Sequence, residues 1–204
     1  MSDAIYEPDE PEPDLDTTIN SSAIDGAPVP IVWDELGSED AEQVWLTLNA
    51  FVNKRLRHDL CLPATIVPAY WHRFPLLVEQ LTALWMHYEG AYNGEQHASA
   101  QFGWLRDLEE WKGRMREAVA MLGCRNDAVR PYRVPLWPGE AEPEPDPDEP
   151  EPPPVDTRSR DEDFVAWVMW DVARRRVIEN RRRALILAAS GQSRFFGDDE
   201  DEDS

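Results

Sequence analysis

The sequence predicts an all-α protein, made of a small three-helix bundle and a separate long C-terminal amphipathic helix, with disordered acidic and proline-rich arms. Between residues 38 and 122, apolar residues recur at steps of three and four, which is the spacing of one face of a helix. No stretch in that span alternates apolar and polar residues strictly enough to indicate a strand. The chain of 204 residues carries a net charge of −21, and the excess of acids lies mostly outside this span.

Acidic, proline-rich segments flank the helical regions. Residues 1–42 hold 13 acids and no Lys or Arg, and nine of the 18 prolines lie in residues 135–154. Such segments repel themselves and offer little apolar surface to offset the entropy of ordering a backbone. The predicted organisation is a disordered acidic arm over residues 1–37, a helical bundle over 38–133, a proline-rich acidic linker over 134–160, the amphipathic helix over 161–191 and an acidic tail over 192–204.

The first helix of the bundle is predicted to begin near Ser38. Val44, Leu48 and Phe51 follow at helical spacing. Ser38 is a suitable N-cap, and the acids of the next turn suit the positive end of the helix dipole. Prolines at 63 and 68 then interrupt the pattern.

Two more helices follow in the predicted bundle. Pro75 suits the first turn of the second helix, because its missing N–H has no partner there in any case. The third runs from about Ser99 to Leu122, with Gly123 as the stop. The large aromatic residues of these two helices recur at core positions, namely Trp85, Tyr88, Trp104 and Trp111. Three such helices favour a small antiparallel bundle.

The C-terminal segment 161–190 predicts a long amphipathic helix. It opens with acids and continues for about seven turns without Pro or Gly. Its apolar stripe consists of Trp167, Trp170, Ala173, Val177, Ala184, Leu185 and Ala188. Two arginine triplets, 174–176 and 181–183, each spread over about 200° of the helix surface, so charge flanks the stripe on both sides.

Three interpretations of this helix remain open. In the first, the stripe docks in a groove of a partner protein or of a second copy of the chain, and the arginines meet acidic groups at the rim. In the second, the triplets contact nucleic acid phosphates, although the acidic linker and tail would compete for them. In the third, the helix folds back on the bundle and its arginines neutralise the arms.

The first interpretation makes the protein a non-enzymatic interaction or adaptor protein, and the second makes it a DNA-associated accessory protein regulated by its acidic arms. A further exposed patch is predicted at Trp71 and His72, in a loop fixed by Pro68 and Pro75. The candidate partner-binding residues are therefore Trp71, His72, Trp167, Trp170, Arg174, Arg175, Arg176, Val177, Arg181, Arg182, Arg183 and Leu185.

The sequence offers little for catalysis, and we predict no catalytic residue, metal or cofactor. There is no glycine-rich phosphate loop and no serine elbow. His58 and Cys61 supply only two ligands, whereas a structural zinc site needs four. Cys61 and Cys124 lie in no nucleophile motif. No run of residues approaches the ~18–20 apolar residues that cross a bilayer, and the N-terminus lacks the features of a secretory signal, so we expect a cytoplasmic protein without a membrane partner.

The order of residues 70–92, followed by Trp104 and a cysteine at 124, resembles a domain of unknown function found in actinobacterial proteins. Proteins with this domain are often carried on plasmids, integrative conjugative elements or phages. In that pattern a Trp and a His precede a Pro and an L-x-x-L-W helix, which match Trp71, His72, Pro75, Leu81, Leu84 and Trp85 here. Arg73 and Phe74 intervene where the family reads His-Pro directly. The resemblance covers residues 40–125 and implies a genomic setting rather than a reaction.

Overall fold

The computed structural model describes residues 29–124, 135–142, 144 and 146–195. Within these ranges the chain forms four α-helices and no strand: α1 (Ser38–Phe51), α2 (Pro75–Ala91), α3 (Ser99–Leu122) and α4 (Arg160–Phe195). Two short 3-10 turns, Trp33–Glu35 and Trp71–Arg73, precede α1 and α2. The predicted all-α fold class is confirmed for the part of the chain that the structure describes.

The start of α1 is capped by a side chain from α4. Gly37, not Ser38, occupies the N-cap position, and no side chain of α1 itself caps the helix. Glu179 instead accepts hydrogen bonds from the Ser38 backbone N–H at 2.5 Å and from the Ser38 hydroxyl at 3.1 Å. A carboxylate is favourable here because the first N–H groups of a helix carry partial positive charge. The predicted helix start is therefore correct, but its cap is supplied by tertiary structure.

The helix α2 pairs with α3, and the two run in opposite directions. Trp104 donates its indole N–H to the Leu84 carbonyl at 3.4 Å, and Trp111 donates to the Gln80 carbonyl at 3.0 Å. Both ends of α3 agree with the prediction. The helix begins at Ser99, and Gly123 ends it with a φ of 64°. This left-handed conformation suits glycine, which carries no Cβ.

The direction of α1 differs from the antiparallel arrangement that we predicted for the whole bundle. The end of α1 continues as a π-helical segment, Val52–Asp59. The Phe51 and Tyr88 rings lie 5.4 Å apart, and Arg55 donates to the Tyr92 hydroxyl at 3.3 Å. The later residue of one segment, Arg55, contacts the later residue of the other, Tyr92. The helices α1 and α2 therefore run in the same direction. The connection over residues 60–74 is long enough to return the chain to the start of the bundle.

The first half of α4 packs antiparallel along α1 and closes the core. Asn49 accepts a hydrogen bond from Arg160, whereas Ser38 at the other end of α1 meets Glu179. The apolar anchors of α4 are Phe164, Val168 and Val172, which are 3%, 6% and 6% exposed. The predicted long C-terminal helix is therefore present, and its first half packs on the bundle, as the third interpretation expects. Burying three large apolar side chains stabilises this contact by about 1.5–3 kcal/mol each, as an upper estimate.

Two predicted segment boundaries also change. Trp33, assigned to the acidic arm, is 8% exposed and belongs to the core. Its indole N–H donates to the Thr82 hydroxyl of α2 at 3.0 Å. The helix α4 extends to Phe195, four residues beyond its predicted end at 191. Residues 1–28, the end of the predicted bundle over 125–133, and the tail from residue 196 lie outside the described residues.

Candidate functional site

A cleft of about 640 Å³ lies between the bundle, α4 and part of the proline-rich segment. Its walls include two tryptophan pairs: Trp33 with Trp45, and Trp167 with Trp170, each with ring centroids 4.5 Å apart. Residues 152–155 cross one side of it. A concave, aromatic-lined space of this size is typical of a binding site.

The proline segment is held in place by side chains from the bundle and from α4. The Arg73 guanidinium donates to the carbonyl oxygens of Pro153 at 2.9 Å and Pro154 at 3.2 Å. The Trp170 indole N–H donates to the Pro150 carbonyl at 2.8 Å. Because prolines have no N–H, their carbonyls are the groups through which such a segment is recognised. We call residues 150–156 the proline strap.

A buried carboxylate, Asp163, ties the strap, the bundle and α4 together. It accepts hydrogen bonds from His72 Nε2 at 2.8 Å, from Arg73 Nε and Nη2 at 2.8 and 2.6 Å, and from the Asp156 N–H at 2.7 Å. The side chains of Asp163 and His72 are fully buried, and that of Arg73 is 7% exposed. Every contact that Asp163 makes therefore occurs away from water, where an unpaired charge is costly.

The protonation states of this cluster follow from its geometry. Burial alone would raise the pKa of Asp163, but hydrogen bonds from His72 and Arg73 outweigh it and hold that pKa well below its usual range. Burial lowers the pKa of His72, and its hydrogen bond to Asp163 only partly offsets this effect. Asp163 is thus ionised and balanced by Arg73, while neutral His72 donates from Nε2. His72 Nδ1, an acceptor in this tautomer, has no partner among the described residues.

A second buried carboxylate, Asp171, lies two turns further along α4. It accepts from the Trp45 indole N–H at 2.9 Å and from Arg175 Nε at 2.8 Å. Arg175 also donates to the backbone carbonyls of Trp33 at 2.7 Å and Leu36 at 2.9 Å. These bonds fix the 3-10 turn before α1 against α4.

Trp71 and His72 do not form the predicted exposed patch, since each is only 1% exposed. The reason is that Phe164 of α4 covers both rings, at centroid distances of 6.1 Å from Trp71 and 5.3 Å from His72. The predicted patch assumes that no helix covers this loop. In this conformation neither residue is accessible to a partner.

The predicted residues of α4 separate into two groups. In the first half, Trp167 and Trp170 line the cleft, Arg174 and Arg175 contact Asp171, and Val177 is half-buried. Arg176 on the same half is exposed. These residues mostly hold the helix to its own domain, so the predicted stripe is not an open surface over this half.

The second half of α4 projects from the bundle, and every residue from 181 to 189 is exposed. Leu185 and Leu187 are 66% and 67% exposed. Arg181 forms ion pairs with Asp146 at 2.7 Å and Asp148 at 3.2 Å, both in the acidic linker, whereas Arg182 and Arg183 are exposed. The predicted residues Arg181, Arg182, Arg183 and Leu185 thus all lie on this projecting half. Trp71 and His72 instead pack near the start of α4, against Phe164.

Sequence reasoning missed the charged residues that anchor α4: Asp163, Asp171, Arg73 and Glu179. The sequence does contain a signal for the buried face of α4, because Phe164, Val168 and Val172 recur at every fourth position. That face was overlooked in favour of the stripe with two tryptophans.

Within the part of the chain that the structure describes, unpaired polar groups border the cleft. Two buried donors near it, Trp167 Nε1 and Arg174 Nε, have no hydrogen-bond partner among the described residues. Burial raises the pKa of the Cys124 thiol to about 11, which disfavours its thiolate at neutral pH. The described ranges contain no group of three or more metal-ligating side chains. Within the same ranges, none of the helices has the length and apolar character needed to cross a membrane.

Comparison with protein-family models, with curated proteins and with solved structures finds no match to this chain.

Proposed function

We propose that this protein is a non-enzymatic helical adaptor, which holds α4 by its first half and presents the second half to a groove on a partner protein. One observation carries the proposal. On a helix anchored by buried Phe164, Val168 and Val172, the outer half exposes Leu185 by two thirds of its surface, and exposed Ala188 lies on the same face. Apolar side chains that share one face of an otherwise polar helix mark interaction sites. The resemblance to plasmid, conjugative-element and phage proteins supports a role in an actinobacterial mobile element.

Anchoring gives the projecting helix an advantage in binding. A free helix of about ten residues is only marginally stable in water, and a partner would have to order it. Here the helix is continuous with a segment that the bundle already orders, so less conformational entropy is lost on docking. Burying Leu185 in a groove then contributes about 1.5–3 kcal/mol.

The arginine triplet indicates the chemistry of the groove. Arg181 already pairs with two carboxylates of the linker, at 2.7 and 3.2 Å. This pairing supports a mechanism in which acidic segments of the chain screen the arginines and a strongly binding partner displaces them, which acts as a filter for selectivity. The partner we propose carries an apolar groove with an acidic rim.

The test is quantitative capture of partners from an actinobacterial host by the full chain, compared with a Leu185→Asp variant. Met169→Asp is the matched control, because Met169 is 68% exposed but lies on the anchored half of α4. A partner that fits the proposal binds the wild type and Met169→Asp equally, and binds Leu185→Asp at least about tenfold more weakly, the equivalent of 1.4 kcal/mol. Binding that survives Leu185→Asp would exclude this surface. Loss of concentration-dependent dimerisation in the same variant would identify a second copy as the partner.

The alternative is a DNA-associated accessory protein that acts through the arginine triplets. Exposed Arg176, Arg182 and Arg183 favour it, but Arg174 and Arg175 are committed to Asp171, and Arg181 to the linker. With three phosphate contacts, the logarithm of DNA affinity should fall with the logarithm of salt at a slope of about −3. A fluorescence-anisotropy titration with duplex DNA that gives such a slope, reduced to about −1 by Arg182→Gln with Arg183→Gln, would favour this function over the adaptor.

A further inference from the structure

We propose that the surface of α4 formed by Trp170 and Arg181 is a recognition site for acidic proline-rich peptides, and that residues 7–13 of this chain are a second ligand for it. We call this surface the peptide site. The inference goes beyond the proposed adaptor function, because the peptide site does not include Leu185 or Leu187.

The peptide site is occupied in the structure by the linker, which shows how it reads a peptide. Arg181 contacts the carboxylates of Asp146 and Asp148, and the Trp170 indole N–H donates to the Pro150 carbonyl at 2.8 Å. A guanidinium that meets two carboxylates selects acidic residues. An indole donor that meets the carbonyl of a proline is the chemistry by which aromatic grooves bind proline-rich segments. The contacts therefore specify both acids and prolines at fixed spacing.

The same peptide occurs twice in the chain. Residues 147–152 read Pro-Asp-Glu-Pro-Glu-Pro, and residues 8–13 repeat these six residues without a change. An acid precedes each copy, Asp146 in the linker and Glu7 near the N-terminus. In this alignment Asp9 corresponds to Asp148, and Pro11 corresponds to Pro150. The N-terminal copy thus carries each group that the peptide site contacts in the linker.

The one difference between the copies sets their order of affinity. Asp146 folds the linker into a tight turn: its carboxylate accepts the Asp148 N–H at 3.0 Å, and its carbonyl accepts the Glu149 N–H at 3.1 Å. This turn brings the two carboxylates onto Arg181. A Glu side chain is one methylene longer and does not support such a turn as Asp does. The linker copy is therefore the tighter ligand, and the N-terminal copy is its competitor.

The N-terminal copy reaches the peptide site within one molecule. Fifteen residues, 14–28, separate it from Val29, where the described chain begins. An extended chain of that length spans up to about 50 Å. Trp33, only four residues after Val29, lines the same cleft as Trp170. A segment tethered this closely has an effective concentration near the millimolar range, which allows a weak ligand to compete.

The first experiment uses a synthetic peptide of residues 5–15, titrated into the full-length wild type and into a variant with Asp146→Asn and Asp148→Asn. The readouts are the NMR shift of the Trp170 indole N–H and the affinity by calorimetry. The peptide should bind the variant about tenfold or more tightly than the wild type, because apparent affinity falls with the fraction of sites that are open. A peptide of the same composition in scrambled order should bind at least about tenfold more weakly, and adding Arg181→Gln should abolish binding. Equal binding of the scrambled peptide, or no shift of the Trp170 signal, would overturn the proposal.

The second experiment tests the competition in the full chain by hydrogen exchange of the Asp148 and Glu149 amides. Glu7→Asp should speed their exchange, since it strengthens the competing copy, and Asp9→Asn with Pro11→Ala should slow it. Both effects should be independent of protein concentration. No change in either variant would contradict the proposal, and effects that vanish on dilution would contradict the assignment to the same molecule.

Discussion

Replacing Asp163 with Asn should destabilise the fold by about 3–5 kcal/mol. Asn keeps the shape of Asp but removes the charge that balances Arg73, whose side chain is 7% exposed. The four hydrogen bonds that Asp163 accepts are 2.6 to 2.8 Å long, and Asn can accept with only one oxygen. The cost is that of leaving a buried guanidinium without its counter-ion, and it is a large part of the ~5–15 kcal/mol that stabilises a typical domain.

The assay is urea unfolding followed by fluorescence of the nine tryptophans. With a slope of about 2 kcal/mol/M, the midpoint should fall by about 2 M urea. Asp161→Asn is the matched control, because Asp161 lies on the same turn of α4 with an 88% exposed side chain, and we expect a change within about 0.5 kcal/mol. Adding Arg73→Met to Asp163→Asn should cost less than the sum of the two single changes. A loss below about 1 kcal/mol for Asp163→Asn would refute the view that this carboxylate anchors α4.

Two further outcomes follow from the same contacts. The free energy of unfolding should fall as the pH drops below about 6.5, by up to about 1.4 kcal/mol per pH unit, because the unfolded chain protonates His72 before the folded one does. His72→Gln should flatten the pH dependence of stability between pH 5 and 6.5 in urea unfolding. An unchanged profile would contradict a lowered pKa of His72 in the folded protein. Glu179→Ala should cost about 0.5–2 kcal/mol, since it removes the cap of α1 and a tether of α4, whereas Glu162→Ala at an exposed position should change little. Equal stability of these two variants would argue against capping by Glu179.

The bundle was predictable because its helices bury apolar residues at a regular period. The ends of α3 at Ser99 and Leu122, and the proline at the start of α2, are local features that the sequence displays directly. Trp85, Trp104 and Trp111 are buried as expected, and Tyr88 packs against the core while remaining partly exposed. In these cases local preference and tertiary burial agree.

The site was less predictable because its buried face carries charge. Asp163 and Asp171 count as polar in any periodic pattern, and they become tolerable in the core only when partners distant in sequence satisfy them. Those partners are Arg73, 90 residues before Asp163, and Trp45, 126 residues before Asp171. Trp71 and His72 were predicted to be exposed for the same reason. The helix that covers them lies about 90 residues later in the sequence, and no pattern within residues 70–75 indicates this contact. The exposure of Leu185 agrees with its assignment to the partner-binding surface, which itself stays a proposal.

The antiparallel packing of α4 on α1 has a consequence for synthesis. The ribosome completes the tryptophan-rich face of the first 124 residues well before the helix that covers it. At about 5–20 residues per second, the roughly 50 residues from Cys124 to Val172 take about 2–10 s to add. During that interval each nascent copy presents Trp45 and Trp71 to its surroundings, so escape from aggregation depends on the last helix emerging and docking in time.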